Sequence, residues 1–177
     1  AFDEAIRSLG LLVQDKLFQK YVISRVLLLS VALVIPFYVV LVQQLLNGEL
    51  TILGWLIIAN GLASSLSAPL IGKYADHNSR NVMALSALLA GVVGLIVSYL
   101  TTYGMDVNFN IASIMVLFFL ISLAHGGVRL GRKVYLVDMA NKENRAQYVA
   151  VSNTVIGIVM LLAGSVGVIA DLFNVQT

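Results

Sequence analysis

Five intervals of the sequence contain no lysine, arginine, aspartate or glutamate: Val26–Gly48, Leu50–Gly72, Asn81–Met105, Val107–Val128 and Ala146–Ala170, of 23, 23, 25, 22 and 25 residues. A helix crosses the roughly 30 Å hydrocarbon core of a bilayer with about 20 apolar residues, so each interval is long enough to span once. A membrane barrel would need segments of about 10 residues that alternate apolar and polar, and the run Val26–Ile35 does not alternate. The expected fold class is therefore an all-α membrane protein, a bundle of five transmembrane helices. The spans are expected near residues 22–46, 51–72, 82–103, 109–133 and 147–170. Composition agrees: 59% of the residues are hydrophobic and 11% charged, where a soluble domain carries about 25% charged.

The cations orient the bundle. Arg7, Lys16, Lys20 and Arg25 precede the first span, Lys73 and Arg80 separate the second from the third, and Arg129, Arg132, Lys133, Lys142 and Arg145 separate the fourth from the fifth. All eleven fall on one face, while the opposite connections hold Glu49 and Asp106 without a cation. The positive-inside rule then puts the N-terminus in the cytoplasm and the C-terminus outside. Integral residence in the cell (inner) membrane is the expected location. Trp55, Tyr99 and Tyr103 fall near the outer ends of spans, where aromatic rings favour the interface. Over residues 1–20, Phe2, Ile6, Leu9, Val13 and Leu17 fall near one helical face, which fits an amphipathic linker on the cytoplasmic surface; a partner-binding helix would carry the same pattern.

The chain has no cysteine and two histidines, so it offers no disulfide, no thiolate and little material for a metal centre. No cofactor or metal is expected. The cations are sorted by membrane side and not gathered in one patch, so no nucleic-acid partner is expected either. No H-E-x-x-H, phosphate loop or G-x-S-x-G elbow occurs, and Asp76, Asp138 and Asp171 lie at span edges, which argues against an enzyme.

Small residues recur four apart at Ala87 and Gly91, Ala90 and Gly94, and Ala163 and Gly167, a spacing that lets helix backbones approach in lipid. Pro36 and Pro69 are expected to kink the first and second spans. The polar residues at membrane depth are Tyr38, Asn60, Ser64, His125 and Asn153, with Ser152 and Thr154 beside the last. Such groups face a bundle interior or a wet cavity. His125 titrates near neutrality, so either a proton-coupling role or a packed, hydrogen-bonded ring fits it. The adjacent Gly126-Gly127 pair would loosen the helix there.

The turn Gly72-Lys-Tyr-Ala-Asp76-His-Asn-Ser-Arg80-Asn81 resembles the loop motif of the major facilitator superfamily, with Gly72, Asp76 and Arg80 in the motif's glycine, aspartate and arginine places. His77, Ser79 and Asn81 depart from it, standing where a basic residue, a small glycine and a second cation are usual. The segments Leu17 to Arg25 followed by Ile35 to Tyr38, Gly127 to Asp138, and Asn144 through Thr154 with Gly157 look like the second six-helix half of such a transporter.

The resemblance implies that the five spans are the seventh to eleventh of twelve, with the N-terminal helical half as a missing partner. It implies movement of a small-molecule substrate across the lipid bilayer by alternating access, with Tyr38, Asn60, Ser64, His125 and Asn153 bordering the cavity. Asp76 would then accept from free amides at the start of the fifth span, near Ala146–Val149, or pair with Arg80 or Arg129 as a cytoplasmic gate. A solvated loop that only enforces topology is the alternative for the motif. A noncatalytic membrane scaffold or assembly subunit is the alternative for the whole chain.

Overall fold

The computed structural model describes residues 10–45, 50–103 and 111–172. The connections holding Glu49 and Asp106, and Phe2, Ile6 and Leu9 of the expected amphipathic segment, lie outside the described residues. Six helices follow in order among the described residues: α1 Leu11–Gln14, α2 Lys16–Leu27, α3 Leu29–Leu45, α4 Leu50–Tyr103, α5 Ile111–Met139 and α6 Arg145–Leu172. No strand occurs among the described residues. Among the described residues four stretches are long and apolar enough to cross a membrane: 16–44, 50–102, 111–139 and 145–164.

The second stretch holds two of the expected spans. At 1.5 Å per residue its 53 residues would extend about 80 Å, far more than one bilayer needs. Helical backbone fails inside it at Asn78 (φ −153°, ψ 80°), which leaves two arms, 50–77 and 79–103. Asn78 is also what restarts the second arm, because its Oδ1 accepts from the Asn81 N–H at 3.1 Å and caps the new helix. The expected loop is thus shorter than the sequence suggested: Gly72 to His77 are still helical, and one extended residue makes the break. The helical assignment is continuous through Pro36 and Pro69. In α4 the break sits at Asn78 and not at the proline.

The chain divides into two compact units, one of residues 28–135 and one of residues 1–27 with 136–177. In the first, α3, the two arms of α4 and α5 share a core of Val42, Ile52, Leu56, Ala59, Val93, Ile114, Phe118 and Ile121. Large apolar side chains such as Phe37, Leu70 and Leu95 remain exposed outside it. In water that surface would drive aggregation, whereas lipid solvates it at no cost.

The glycines that set the closest approaches are in α5. A methyl group at Gly126 would lie 2.7 Å from Ser67 Oγ of the first arm, and one at Gly131 would lie 2.7 Å from Met83 Cγ and 3.1 Å from the Ser79 carbonyl of the second arm. At Gly127 it would overlap Ser86 Oγ. α5 is therefore seated against both sides of the Asn78 break, and it stays helical through Gly126 and Gly127. These glycines fit the helix to its neighbours and do not loosen it. The spacings singled out in the sequence behave differently: a methyl at Gly91 would meet nothing within 4 Å, and at Gly94 only the Tyr38 hydroxyl at 3.7 Å; Gly157 likewise faces open space.

In the second unit, Asp15 (φ −104°, ψ 100°) separates α1 from α2. Its Oδ1 accepts from the N–H groups of Leu17 (2.9 Å) and Phe18 (3.1 Å), capping α2. Phe18, Tyr21 and Val22 form the buried face of α2, while Val13 is 82% exposed and Leu17 46%. The buried face is chosen by Phe18, fully enclosed and stacked on Tyr148 of α6 with ring centroids 4.2 Å apart.

Candidate functional site

The residues of the loop motif stand on the last turns of the first arm of α4 and the first turns of the second. Asp76, Arg80 and Arg129 are exposed, and Gly72 is half-buried. Arg80 lies with its guanidinium carbon 5.1 Å from the centroid of the Tyr135 ring on α5, a cation–π contact. No hydrogen bond or ion pair joins Asp76 to Arg80 or Arg129 among the described residues. The loop is thus fastened to α5 through its arginine, a contact that charge patterning alone does not reveal. His77 Nδ1 lies 3.2 Å from the Lys73 carbonyl one turn earlier.

At the start of α6 the backbone is largely occupied. The amide of Tyr148, one of those expected to receive Asp76, already donates to the Asn144 carbonyl at 2.9 Å, and the amide of Arg145 donates to Asn141 at 3.0 Å. Arg145 turns back on the end of α5, where its Nη2 donates to the Val137 carbonyl at 3.1 Å. A cation is favourable beside the last carbonyls of a helix.

The candidate cavity residues are dispersed. Tyr38 is half-buried and lines an apolar cavity of about 40 Å³ with Leu41, Val97, Thr101, Leu117 and Phe118. Asn60 and Ser64 are exposed on the first arm of α4, where the Ser64 carbonyl accepts from the buried Ser67 hydroxyl at 3.1 Å. His125 is half-buried, and its Nδ1 is enclosed without a hydrogen-bond partner among the described residues. So is Ser122 Oγ, three residues earlier on the same side of α5. The packed, hydrogen-bonded ring considered for His125 is therefore not what Nδ1 shows.

Among the described residues Asn153 is the one cavity candidate found in a charged contact. Its Oδ1 accepts from Arg25 Nη2 at 2.7 Å, while Arg25 Nη1 donates to the buried Ser152 hydroxyl at 2.6 Å. One helical turn below, the Tyr148 hydroxyl donates to Asp15 Oδ2 at 2.6 Å. That hydrogen bond and the two capping amides hold the Asp15 carboxyl below its ordinary range. α2 and α6 are thus joined at two levels by polar contacts flanking the Phe18–Tyr148 stack. The cap had a legible signal, an aspartate just ahead of a helical run. The pairing of α2 with α6 had none, since 127 residues separate Arg25 from Ser152.

These observations describe long apolar helices, a motif-bearing break inside the longest of them and polar groups along their length. The family model described as Major Facilitator Superfamily matches residues 22–177. No curated protein and no solved structure matches the chain. Long enough to cross a bilayer and matched over most of its length, the chain belongs to the major facilitator superfamily and is a membrane transporter of that type.

Proposed function

We propose that the chain forms part of a secondary transporter that moves a small solute across the cell (inner) membrane by alternating access. In this reading the N-terminus and the cationic loops face the cytoplasm, the C-terminus lies outside, and a further N-terminal helical half completes the carrier. The membrane domain covers residues 21–177, with the spans and the 1–20 linker placed as the sequence suggests. Gly72, Asp76, Arg80 and Arg129 serve as the cytoplasmic gate, and Tyr38, Asn60, Ser64, His125 and Asn153 border the route. None of these roles involves bond-making chemistry.

The observation that carries the reading is the fit of α5 against both arms of α4 through Gly126, Gly127 and Gly131, with Arg80 fastened over Tyr135. Rocking access needs helices that move as one stiff body around a site near the midplane, and close backbone approach on both sides of a loop supplies that stiffness.

The test uses single cysteines: these 177 residues hold no competing thiol, and any cysteine elsewhere in the full-length protein is replaced. Single cysteines at Asn60 and Asn153 in the full-length protein are treated with a membrane-impermeant thiol reagent from each side of sealed vesicles. An alternating cavity is labelled from both sides. Asp76→Asn should then shift the ratio of inside to outside labelling about fivefold, the scale of an ordinary conformational coupling, and Glu49→Gln should leave it unchanged. Labelling from neither side would favour a sealed scaffold, and equal behaviour of the two variants would return the loop to a purely topological role.

A further inference from the structure

Arg25 presents a chemical problem that the gate and cavity roles do not address. Its guanidinium is half-buried between α2 and α6, one residue ahead of the charge-free interval that begins at Val26. Its two terminal nitrogens donate to Ser152 Oγ and Asn153 Oδ1, both neutral. Its Nε is enclosed with no acceptor among the described residues. A cation taken from water into such a place is costly unless it is paired with an opposite charge, and no carboxylate pairs with Arg25 among the described residues.

Helix joining does not explain the charge. The Tyr148–Asp15 hydrogen bond and the Phe18–Tyr148 stack already tie α2 to α6, and a neutral amide could bridge Ser152 and Asn153 without bringing a cation. The geometry, by contrast, suits an oxyanion. The two acceptors lie at the end-on edge of the guanidinium, 2.6 and 2.7 Å from its terminal nitrogens, where the paired oxygens of a carboxylate or phosphate lie in a bidentate contact. Ser152 is fully buried and donates in turn to the Val149 carbonyl at 3.1 Å, so one side of the cradle is fixed. Asn153 is exposed, so the other side is open to approach.

We propose that Arg25, braced by Ser152 and Asn153, is a binding site for an oxyanion group, a carboxylate or phosphate. The anion takes over the guanidinium from the two neutral acceptors and supplies the missing countercharge. Two sources carry this chemistry: a soluble anionic solute, which on the transporter reading is the cargo, and the headgroup of an anionic lipid. Only the word cargo rests on that reading. Binding is measured without any flux, so failure to transport and failure to bind are separate results.

The experiment measures the melting temperature of the full-length protein in nanodiscs of phosphatidylcholine, titrated with inorganic phosphate and with succinate, and in nanodiscs containing phosphatidylglycerol. A soluble anion that raises the melting temperature in phosphatidylcholine identifies the solute as the source. A rise seen only with phosphatidylglycerol supports the same site and assigns it to lipid. In either arm Arg25→Gln should weaken the apparent affinity about 10- to 100-fold, as expected for losing a charge-assisted hydrogen-bond donor, and Arg25→Lys should retain part of it. Asn153→Asp guards against a variant that fails to fold. It places a carboxylate beside the guanidinium, so it should raise the melting temperature without added anion and abolish the anion effect. No shift with any of the three probes, or an undiminished shift in Arg25→Gln or Asn153→Asp, overturns the proposal.

Discussion

Asp15 performs two tasks with one carboxylate: Oδ1 caps α2, and Oδ2 receives the Tyr148 hydroxyl of α6. Both contacts favour the charged form, and the Tyr148 hydrogen bond is the largest influence lowering its pKa from the ordinary 3.8. A carboxyl whose pKa is depressed on folding stabilises the fold above its unfolded value and loses that contribution as pH falls through the folded value. The melting temperature should therefore drop below about pH 4, and Asp15→Asn, which keeps a capping oxygen without the charge, should flatten that drop. Asp15→Ala should cost about 1 kcal/mol at neutral pH through loss of the cap. Thermal melts across pH 3 to 7 check both statements. A wild-type curve as flat as that of Asp15→Asn would remove the carboxylate from the account.

Among the elements, α5 is the one whose sequence is most tightly specified by its neighbours. Its three buried glycines meet side chains or backbone of both arms of α4, and at Gly131 the Ser79 carbonyl cannot swing aside as a side chain would. Gly131→Ala should therefore destabilise by about 1–3 kcal/mol, the usual range for overpacking a fitted interface. Gly126→Ala should cost a similar amount, because even if Ser67 Oγ turns away its Cβ, fixed by the backbone, stays at 3.1 Å. Gly91→Ala and Gly157→Ala meet open space and should be neutral or slightly stabilising, since alanine has less chain entropy to lose. Melting temperatures of the four variants in one detergent rank these expectations, and a Gly131→Ala protein as stable as Gly91→Ala would show that the approach of α5 to α4 is not a fixed feature. At the break, Asn78→Ala should cost about 1 kcal/mol by uncapping the second arm.

For the whole molecule the sharpest expectation is topological. Cysteines placed at positions 49 and 106 should label from outside, and those at 73 and 142 only after the membrane is opened. Labelling of position 142 from outside in sealed cells would reverse the orientation. A second expectation concerns sufficiency. On the proposed reading five spans supply less than one six-helix repeat, while alternating access needs two bundles facing each other across the route. The 177 residues alone, reconstituted in liposomes, should show no saturable solute uptake. Saturable uptake would point to a carrier that assembles from several copies.

The helical membrane class, the number of charge-free intervals and the motif-bearing loop were legible in the sequence because lipid imposes a one-dimensional rule. A crossing segment must satisfy its backbone within itself, as a helix, and exclude charge over a fixed length. The break at Asn78 was only half legible, since Gly72 to His77 stay helical into what reads as loop. Side-chain partnership followed no such rule. Hydropathy could not tell that Gly131 meets the Ser79 carbonyl while Gly91 meets nothing, that Arg80 rests on Tyr135 apart from Asp76, or that Arg25 reaches Ser152 and Asn153. Those pairings depend on which faces of distant helices are brought within hydrogen-bonding or van der Waals distance. In lipid, where burial alone does not distinguish one apolar face from another, fitted packing and local polar contacts make that choice.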